Sequence, residues 1–270
     1  MKIPIRKYVT WPMVSKAALI VLTVVLFTVW LRFTPPGVLG KADAIGYAVC
    51  HRIDDRSFFL GERQTPMCAR CSGMFLGMLV GLVYQARLGK RSWLPPLKIS
   101  IPMSAFLITF GVDGLNSMVQ FFPTIPALYQ PSNWLRLATG TGLGILVAVI
   151  LMPVFHQAMW VNPEERPALE SWSQAGGLLG IAALAGLAMY TQNPFFLYPL
   201  AVLSSLTVLL VLTLCYGLLG IVVFRRENTY QRWRNTWIPL VGGFITALVQ
   251  IGLINLIRFQ LTGTWAGFPL

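Results

Sequence analysis

The chain has 270 residues, of which 56% are hydrophobic and only 11% are charged. Ordinary soluble domains carry about 25% charged residues, so the composition excludes a soluble globular protein and predicts a polytopic membrane protein. The formal net charge of +12 does not indicate a nucleic-acid partner, because the basic residues form short clusters beside apolar runs, where they set membrane orientation.

Seven hydrophobic runs, in chain order, are long enough to cross a bilayer, which takes about 20 residues in a helix. They cover approximately residues 14–33, 71–87, 100–122, 134–155, 174–192, 197–224 and 236–257. No stretch between them is long enough to fold as a separate soluble module. The predicted fold is therefore all-α, a single transmembrane domain over residues 1–270 that forms a bundle of about seven helices in the lipid bilayer.

The positions of Lys and Arg predict how the chain crosses the membrane, because positively charged loops are retained in the cytoplasm. With the N-terminus inside, the inner segments 2–16, 87–98 and 225–234 each hold four basic residues. The other side holds fewer, and most of these lie in one segment between the first and second runs. We expect a multi-pass protein of the cell (inner) membrane with a cytoplasmic N-terminus and an extracytoplasmic C-terminus.

That extracytoplasmic segment gathers side chains that can bind a metal. Cys50 and His51 are adjacent, and Cys68 and Cys71 follow as a Cys-x-x-Cys pair. Thiolate and imidazole ligands of this number and type are typical of a tetrahedral zinc site. Outside the cytoplasm the same thiols meet an oxidising environment, so a disulfide among the three cysteines is the rival interpretation.

Local signals place the cysteines at helix ends. Residues 41–50 are predicted to form a short amphipathic helix that cannot span the membrane. Thr65 and Pro66 suggest the N-cap and first residue of the second transmembrane helix, so that Cys68 and Cys71 would share one face of its first turn. The positive end of the helix dipole favours a thiolate there.

Four arginines surround the cysteines, and acidic neighbours offset part of their charge. They are Arg52, Arg56, Arg63 and Arg70. Guanidinium groups bind phosphate and carboxylate groups in a bidentate fashion, so these residues are candidates for binding an anionic or lipid-borne substrate. A solvated loop that contacts anionic lipid headgroups is the alternative.

A second polar cluster is predicted on two later helices. Asp113, Asn116 and Gln120 share one face of the third run, while Asn133 and Arg136 open the fourth. Ionisable groups inside a bilayer cost about 2.5–3.5 kcal/mol on insertion scales, so they face a partner or an aqueous cavity. Asp113 and Arg136 could form a buried ion pair that joins two helices. Alternatively they are catalytic residues of an outward-facing cavity, with Asp113 as proton acceptor or metal ligand and Arg136 holding an anion. In that case Asn116 and Asn133 are candidates for substrate contact.

Glycines recur at every fourth position in three of the hydrophobic runs. They are Gly73, Gly77 and Gly81, then Gly140 and Gly144, then Gly176 and Gly180. This spacing lets helix backbones approach closely, so these residues are predicted to pack helices together.

The sequence CHRIDDRSFFLGERQTPMCARCSGMFLG, from Cys50 to Gly77, resembles the signature of a family of functionally uncharacterised, predicted multi-pass membrane proteins of bacteria and archaea. The shared elements are the Cys-His pair, Arg-Ser-Phe, Gly-x-Arg and Pro-x-Cys-Ala-Arg-Cys-x-Gly. The later sequences DGLN and SNWLRLATG are similar to two further elements, although the family has Gln at the position of Asn116. The resemblance covers about residues 45–145. It implies that these residues form one pattern, and it implies no activity.

Three classes of function follow from these observations. The first is a metal-dependent enzyme that acts on a lipid-borne or anionic substrate beside a zinc ion. The second is a structural accessory subunit of a larger membrane complex, in which the metal or disulfide fastens the outer segment to the helices. The third is a thiol-disulfide or quinone-linked redox protein that uses Cys68 and Cys71. A catalytic zinc ion keeps one coordination position open whereas a structural one has four protein ligands, so the ligand count separates the first two.

Overall fold

The structure, a computed structural model, describes residues 13–122 and 126–267. Within these ranges the chain forms eight α-helices and two small two-stranded sheets. In chain order the elements are α1 (Met13–Phe33), α2 (Gly37–Val49), β1 (Ser57–Leu60), β2 (Arg63–Cys68), α3 (Ala69–Ala86), β3 (Arg91–Trp93), α4 (Leu97–Val119), α5 (Asn133–Met159), β4 (Glu164–Pro167), α6 (Trp172–Tyr190), α7 (Pro194–Val223) and α8 (Trp237–Thr262). The predicted all-α membrane bundle is confirmed. Lys2, Arg6 and Lys7, which contributed to the predicted orientation, lie outside the described residues.

Six of the helices, α1 and α4 to α8, are long and apolar enough to cross a membrane. The remaining predicted run corresponds to α3, which is 18 residues long and carries Arg70 and Gln85 near its ends. This helix packs against α5, α6 and α7. Because its side chains contact other helices on several sides, α3 needs less hydrophobic surface than a helix that faces lipid.

Close backbone contact between α3 and α5 forms the centre of the bundle. An added Cβ atom on Gly77 would lie 2.2 Å from a carbonyl oxygen of α5, and one on Gly144 would lie 2.0 Å from a carbonyl oxygen of α3. Only glycine permits this approach, so the packing prediction is confirmed for both helices. It is wrong for Gly176 and Gly180 in α6, where an added Cβ atom would have no neighbour within 4 Å.

The other helices surround this pair. α4 packs on α5, α6 contacts α3, α5 and α7, and α7 packs along α8. α1 lies at the edge, with α8 as its main neighbour. The outer surfaces of α1, α7 and α8 expose many Leu, Val, Ile and Phe side chains, as is expected of surfaces that face hydrocarbon.

Each end of the bundle carries one small sheet. At the first end, called the hairpin end below, β1 and β2 form an antiparallel hairpin between α2 and α3, with Ser57 opposite Cys68. At the opposite end, β3 and β4 pair in parallel and join the α3–α4 connection to the α5–α6 connection. The alternating helix directions also bring the loop 126–132 and the C-terminal residues 263–267 to the hairpin end.

The start of α3 differs from the sequence prediction. Thr65 and Pro66 lie in β2, and α3 begins at Ala69 with Cys68 as its N-cap residue. The cause is tertiary, because this stretch pairs with β1 and the Thr65 hydroxyl donates a hydrogen bond to the carbonyl oxygen of Phe58 at 3.1 Å. Sheet pairing therefore delays the helix by about one turn relative to the local signal.

Candidate functional site

Three cysteine sulfurs meet at the hairpin end. The Sγ atoms of Cys50, Cys68 and Cys71 all lie within 4.8 Å of one another. Three elements supply them, since Cys50 follows α2, Cys68 ends β2 and Cys71 lies in the first turn of α3. All four cysteines of the chain are free thiols, and Cys215 lies apart on the exposed surface of α7. Three sulfurs at this spacing can hold a metal ion.

The position of Cys50 depends on how α2 is held. The short helix predicted at residues 41–50 is confirmed as α2, and it crosses β2 so closely that a Cβ atom on Gly46 would lie 2.0 Å from the carbonyl oxygen of Pro66. Arg258 of α8 donates hydrogen bonds to the carbonyl oxygens of Tyr47 and Cys50, the latter at 2.7 Å. Carbonyl groups at a helix C-terminus have no partner within the helix, so Arg258 satisfies them and fixes Cys50.

Two backbone amides point at the Cys50 sulfur. The N–H groups of Arg52 and Cys68 donate to it at 3.4 and 3.3 Å. Arg52 adopts a left-handed backbone conformation with φ of 54°, which is uncommon for a residue with a side chain and shows that its surroundings fix the loop. Hydrogen bonds of this kind stabilise the thiolate, which is the form that binds metals.

Ionisation of the three thiols is interdependent. Hydrogen bonds from Cys50 and Cys71 lower the pKa of Cys68 well below its ordinary value. The hydrogen bond to Cys68 in turn raises the pKa of Cys50 to about 12. The trio by itself therefore favours one thiolate, and ionisation of all three needs a cation between them.

His51 lies outside the group of three sulfurs but lines the same small cavity, which has a volume of about 140 Å³. Its side chain is exposed at the cavity edge. Cys50 has an extended backbone, with φ of −137° and ψ of 143°, and successive side chains of extended backbone point to opposite sides. The structure thus brings together three of the four predicted metal ligands and places the fourth on the cavity wall.

Four arginines line this cavity, and two of them are neutralised by buried carboxylates. Arg52 forms an ion pair with Asp43 at 3.2 Å. Arg70 forms one with Asp113, in which Nε donates to Oδ2 at 3.1 Å. The sequence suggested Arg136 as the partner of Asp113, but Arg70 occupies that place because it extends from the first turn of α3 to α4.

The other two arginines, Arg56 and Arg136, form no ion pair within the described part of the chain. Arg56 donates to the carbonyl oxygen of Ser117 at 3.0 Å, and its guanidinium lies 4.4 Å from the centre of the Phe121 ring. Arg136 is only 5% exposed, and it donates to Oδ1 of Asn133 at 2.9 Å. Its buried Nε has no hydrogen-bond partner. Two guanidinium groups therefore line the cavity without a carboxylate in direct contact, although Asp113 attracts Arg136 and Asp55 attracts Arg56 at longer range.

The remaining polar contacts of Asp113 explain how a carboxyl group that is only 1% exposed has its oxygens satisfied. The Tyr129 hydroxyl donates to its Oδ1 at 3.0 Å, and the Thr139 hydroxyl donates to its Oδ2 at 3.4 Å. These bonds connect α4, the following loop and α5. The predicted proton acceptor is thus part of a network that holds Arg70 and does not itself line the cavity.

Three of the predicted substrate contacts lie outside the cavity lining. Arg63 is half exposed and pairs with Asp43 at 2.7 Å. Asn116 closes the loop after α4 by donating to the carbonyl oxygen of Tyr129 at 2.9 Å. Asn133 donates to the carbonyl oxygen of Ser57 at 3.3 Å and so joins the hairpin to α5. Arg52, Arg56 and Arg70, also predicted, line the cavity together with Arg136.

The C-terminal segment contributes contacts that sequence reasoning missed. Arg52 donates to the carbonyl oxygen of Trp265 at 3.1 Å, and the Tyr47 hydroxyl donates to that of Thr264 at 2.8 Å. An added Cβ atom on Gly267 would lie 1.8 Å from the carbonyl oxygen of Arg52. No local pattern indicates this packing, because the partners are more than 200 residues apart in the chain.

Residues 50–150, which include all the cysteines and arginines that line the cavity, match a family described as "Predicted membrane protein (DUF2085)". The chain is 29% identical over 121 residues to an uncharacterized protein, MJ1492, of Methanocaldococcus jannaschii, an alignment that covers 43% of this chain and 70% of the relative. It is 26% identical over 108 residues to an uncharacterized protein of Methanothermobacter thermautotrophicus, covering 40% and 88% respectively. No solved structure matches the chain significantly. The similarity to predicted membrane proteins agrees with the fold, and these descriptions state no activity.

Proposed function

We propose that this protein is an integral membrane metalloenzyme that acts on an anionic or lipid-borne substrate. Cys50, Cys68 and Cys71 bind one zinc ion and leave its fourth coordination position open to the arginine-lined cavity. The observation that carries the proposal is the grouping of three sulfurs within 4.8 Å, with His51 on the wall of the adjoining cavity. Catalytic zinc sites have three protein ligands and one position for water or substrate.

The donor set suits zinc because thiolates are the soft ligands that this metal prefers. Zinc in such a site polarises a substrate oxygen or lowers the pKa of a bound water, and a three-cysteine zinc site is sufficient for water activation. The amides of Arg52 and Cys68 stabilise the Cys50 thiolate. Asp113 holds Arg70 in position, which is the role that we assign to it in place of proton acceptor.

We also propose that the hairpin end faces the outside of the inner membrane. The basic segments 87–98 and 225–234 both lie at the opposite end of the bundle, where β3, β4 and the contact between Trp160 and Tyr230 tie the connections together. Positively charged loops favour the cytoplasmic side. In this orientation a lipid-borne substrate would reach the cavity from the outer leaflet.

Metal analysis combined with X-ray absorption spectroscopy tests the metal centre directly. The purified protein should contain one zinc ion per chain, with three sulfur ligands and one oxygen or nitrogen ligand. Replacement of Cys50, Cys68 or Cys71 by Ser should remove the metal. Cys215→Ser is the matched control, because this thiol is exposed on α7, and it should leave the zinc content unchanged.

His51 decides between the enzyme and the structural subunit. The variant His51→Gln should retain zinc with the same sulfur ligands, because this side chain lies outside the sulfur group. Loss of the metal from this variant would mean a closed site with four protein ligands, which supports a structural accessory subunit. A disulfide within the trio in metal-free native protein would support the redox alternative.

A further inference from the structure

We infer that the cavity beside the three cysteines binds an oxyanion of the phosphate class, and that Arg56 and Arg136 are the residues that recognise it. The inference deepens the proposed function, on which it rests for the neighbouring zinc ion. The guanidinium contacts to the anion need no metal. The zinc site and the oxyanion site can therefore be tested separately.

Arg136 provides the first argument. The residue is 5% exposed, its side chain lines the cavity, and only Asn133 among the described residues accepts a hydrogen bond from its guanidinium. Its Nε is buried and has no partner. A buried charge without a counter-ion is strongly unfavourable. An anion in the cavity would supply the directly contacting counter-charge that no described carboxylate gives to this guanidinium.

Arg56 provides the second argument, and it lies in a short 3₁₀ helix, Asp54–Arg56, that precedes β1. The carbonyl oxygen of Ser117 and the ring of Phe121 fix its guanidinium over the end of α4. Asp55 is its nearest acidic neighbour in sequence, but this carboxylate is exposed and forms no ion pair with any described residue. Arg56 and Arg136 thus approach the cavity from two different elements, and Asn133 links these elements through the carbonyl oxygen of Asp55 at 3.3 Å.

The balance of charge points to an anion even when zinc is present. Asp113 neutralises Arg70, and Asp43 pairs with Arg52 while also contacting Arg63, so these two carboxylates leave no negative charge for Arg56 and Arg136. A zinc ion with three thiolates carries one negative charge, which is too little to neutralise two further guanidinium groups. The cavity therefore keeps a net positive charge, although it lies beside three thiolates.

Size and geometry favour a tetrahedral oxyanion. The cavity volume of about 140 Å³ corresponds to the space of a few water molecules, so it accommodates a phosphate group but not a whole lipid or nucleotide. Guanidinium groups bind phosphate oxygens in a bidentate fashion. A phosphate offers enough oxygens for Arg56, Arg136 and the open zinc position at once, whereas a carboxylate offers only two. The group can belong to free phosphate or to the headgroup of a lipid phosphomonoester.

Calorimetric titration of inorganic phosphate into the zinc-loaded protein tests the inference, with the protein in phosphatidylcholine nanodiscs. We expect saturable binding that becomes at least about tenfold weaker in Arg56→Gln and in Arg136→Gln, because each variant loses a charged hydrogen-bond donor. Arg136→Lys should retain part of the phosphate affinity, since lysine keeps the positive charge but cannot donate two parallel hydrogen bonds to the phosphate. Arg32→Gln removes an exposed arginine from the same end of the bundle and should bind like the wild type.

A second arm distinguishes the source of the phosphate group. Nanodiscs that also contain phosphatidic acid should suppress the binding of inorganic phosphate if a lipid headgroup enters the cavity, and should leave it unchanged if the site takes only free phosphate. Either result supports an oxyanion site. Wild-type protein that binds neither form, or Arg56→Gln and Arg136→Gln variants that bind as tightly as the wild type, would overturn the inference.

Zinc content measured on the same samples separates the two proposals. A zinc-containing wild type that fails to bind phosphate contradicts only the oxyanion site. A wild type without zinc contradicts the proposed function, and the titration of that metal-free protein still reports on the arginines. Thermal unfolding of every variant shows whether it is folded. If Arg136→Gln does not fold, the phosphate affinity of Arg136→Lys still tests the role of this residue.

Discussion

Arg70 in α3 donates hydrogen bonds to both the carboxylate and the main-chain carbonyl oxygen of Asp113 in α4, the latter at 3.0 Å. The Asp113 side chain is 1% exposed and that of Arg70 is 18% exposed. Because Arg70 directly precedes Cys71, this ion pair fixes the first turn of α3 against α4. It thereby holds one of the three sulfurs and removes one of the four cavity arginines from anion binding.

The first prediction concerns this pair. Asp113→Asn leaves a largely buried guanidinium without its counter-charge, and such changes typically cost about 3–5 kcal/mol. We expect a value at the lower end, since Arg70 retains some solvent contact. Thermal unfolding in one detergent measures the effect. In the double variant with Arg70→Gln the loss should be smaller than the sum of the two single losses. Additive losses would show that the two residues do not stabilise the protein as a pair.

The second prediction concerns the glycines between α3 and α5. Gly77→Ala forces a Cβ atom to within 2.2 Å of the Thr141 carbonyl oxygen, so the two backbones must separate. Overpacking of this kind costs about 1–3 kcal/mol and occasionally more. Gly176→Ala is the matched control in a transmembrane helix, because its Cβ atom meets nothing within 4 Å. Equal melting temperatures for the two variants would contradict the close α3–α5 contact.

The third prediction concerns sidedness. Glu62 in the hairpin and Glu165 in β4 are both exposed and lie at opposite ends of the bundle. In intact cells, an impermeant maleimide should label the variant Glu62→Cys. The variant Glu165→Cys should be labelled only after the membrane is permeabilised. The reverse pattern would place the cysteine cluster in the cytoplasm, and labelling of both from one side would contradict the helix arrangement.

Sequence patterns predicted the helices well because hydrocarbon-length apolar runs are a local signal. Glycine spacing predicted close packing correctly for α3 and α5 but not for α6. Sequence patterns also predicted a metal-ligand group of Cys50, His51, Cys68 and Cys71, because ligand type and spacing are local as well, and the structure brings the three cysteines of this group together. The ion-pair partners of charged side chains were harder to predict from the sequence. Asp113 pairs with Arg70 instead of Arg136, and a hairpin displaces the start of α3. Both outcomes depend on how distant segments pack, which periodicity does not encode.

Arg258 is a further residue whose contacts depend on how distant segments pack, and the last prediction concerns it. Its guanidinium donates to the carbonyl oxygens of Tyr47 and Cys50, which lie more than 200 residues away in the chain, and no local pattern indicates these contacts. Residues that orient metal ligands typically change metal affinity by about 10- to 100-fold when replaced. Arg258→Gln should therefore weaken zinc binding by about tenfold or more.

Competition with a chromophoric chelator measures that affinity. Arg32→Gln serves as the control, since it removes an exposed arginine from the same end of the bundle without touching α2. The sulfur ligands seen by X-ray absorption should stay the same in Arg258→Gln, because the variant loosens Cys50 and removes no ligand. Unchanged zinc affinity would mean that the contacts of α2 with β2 alone, including the close approach of Gly46 to Pro66, are sufficient to place the Cys50 sulfur.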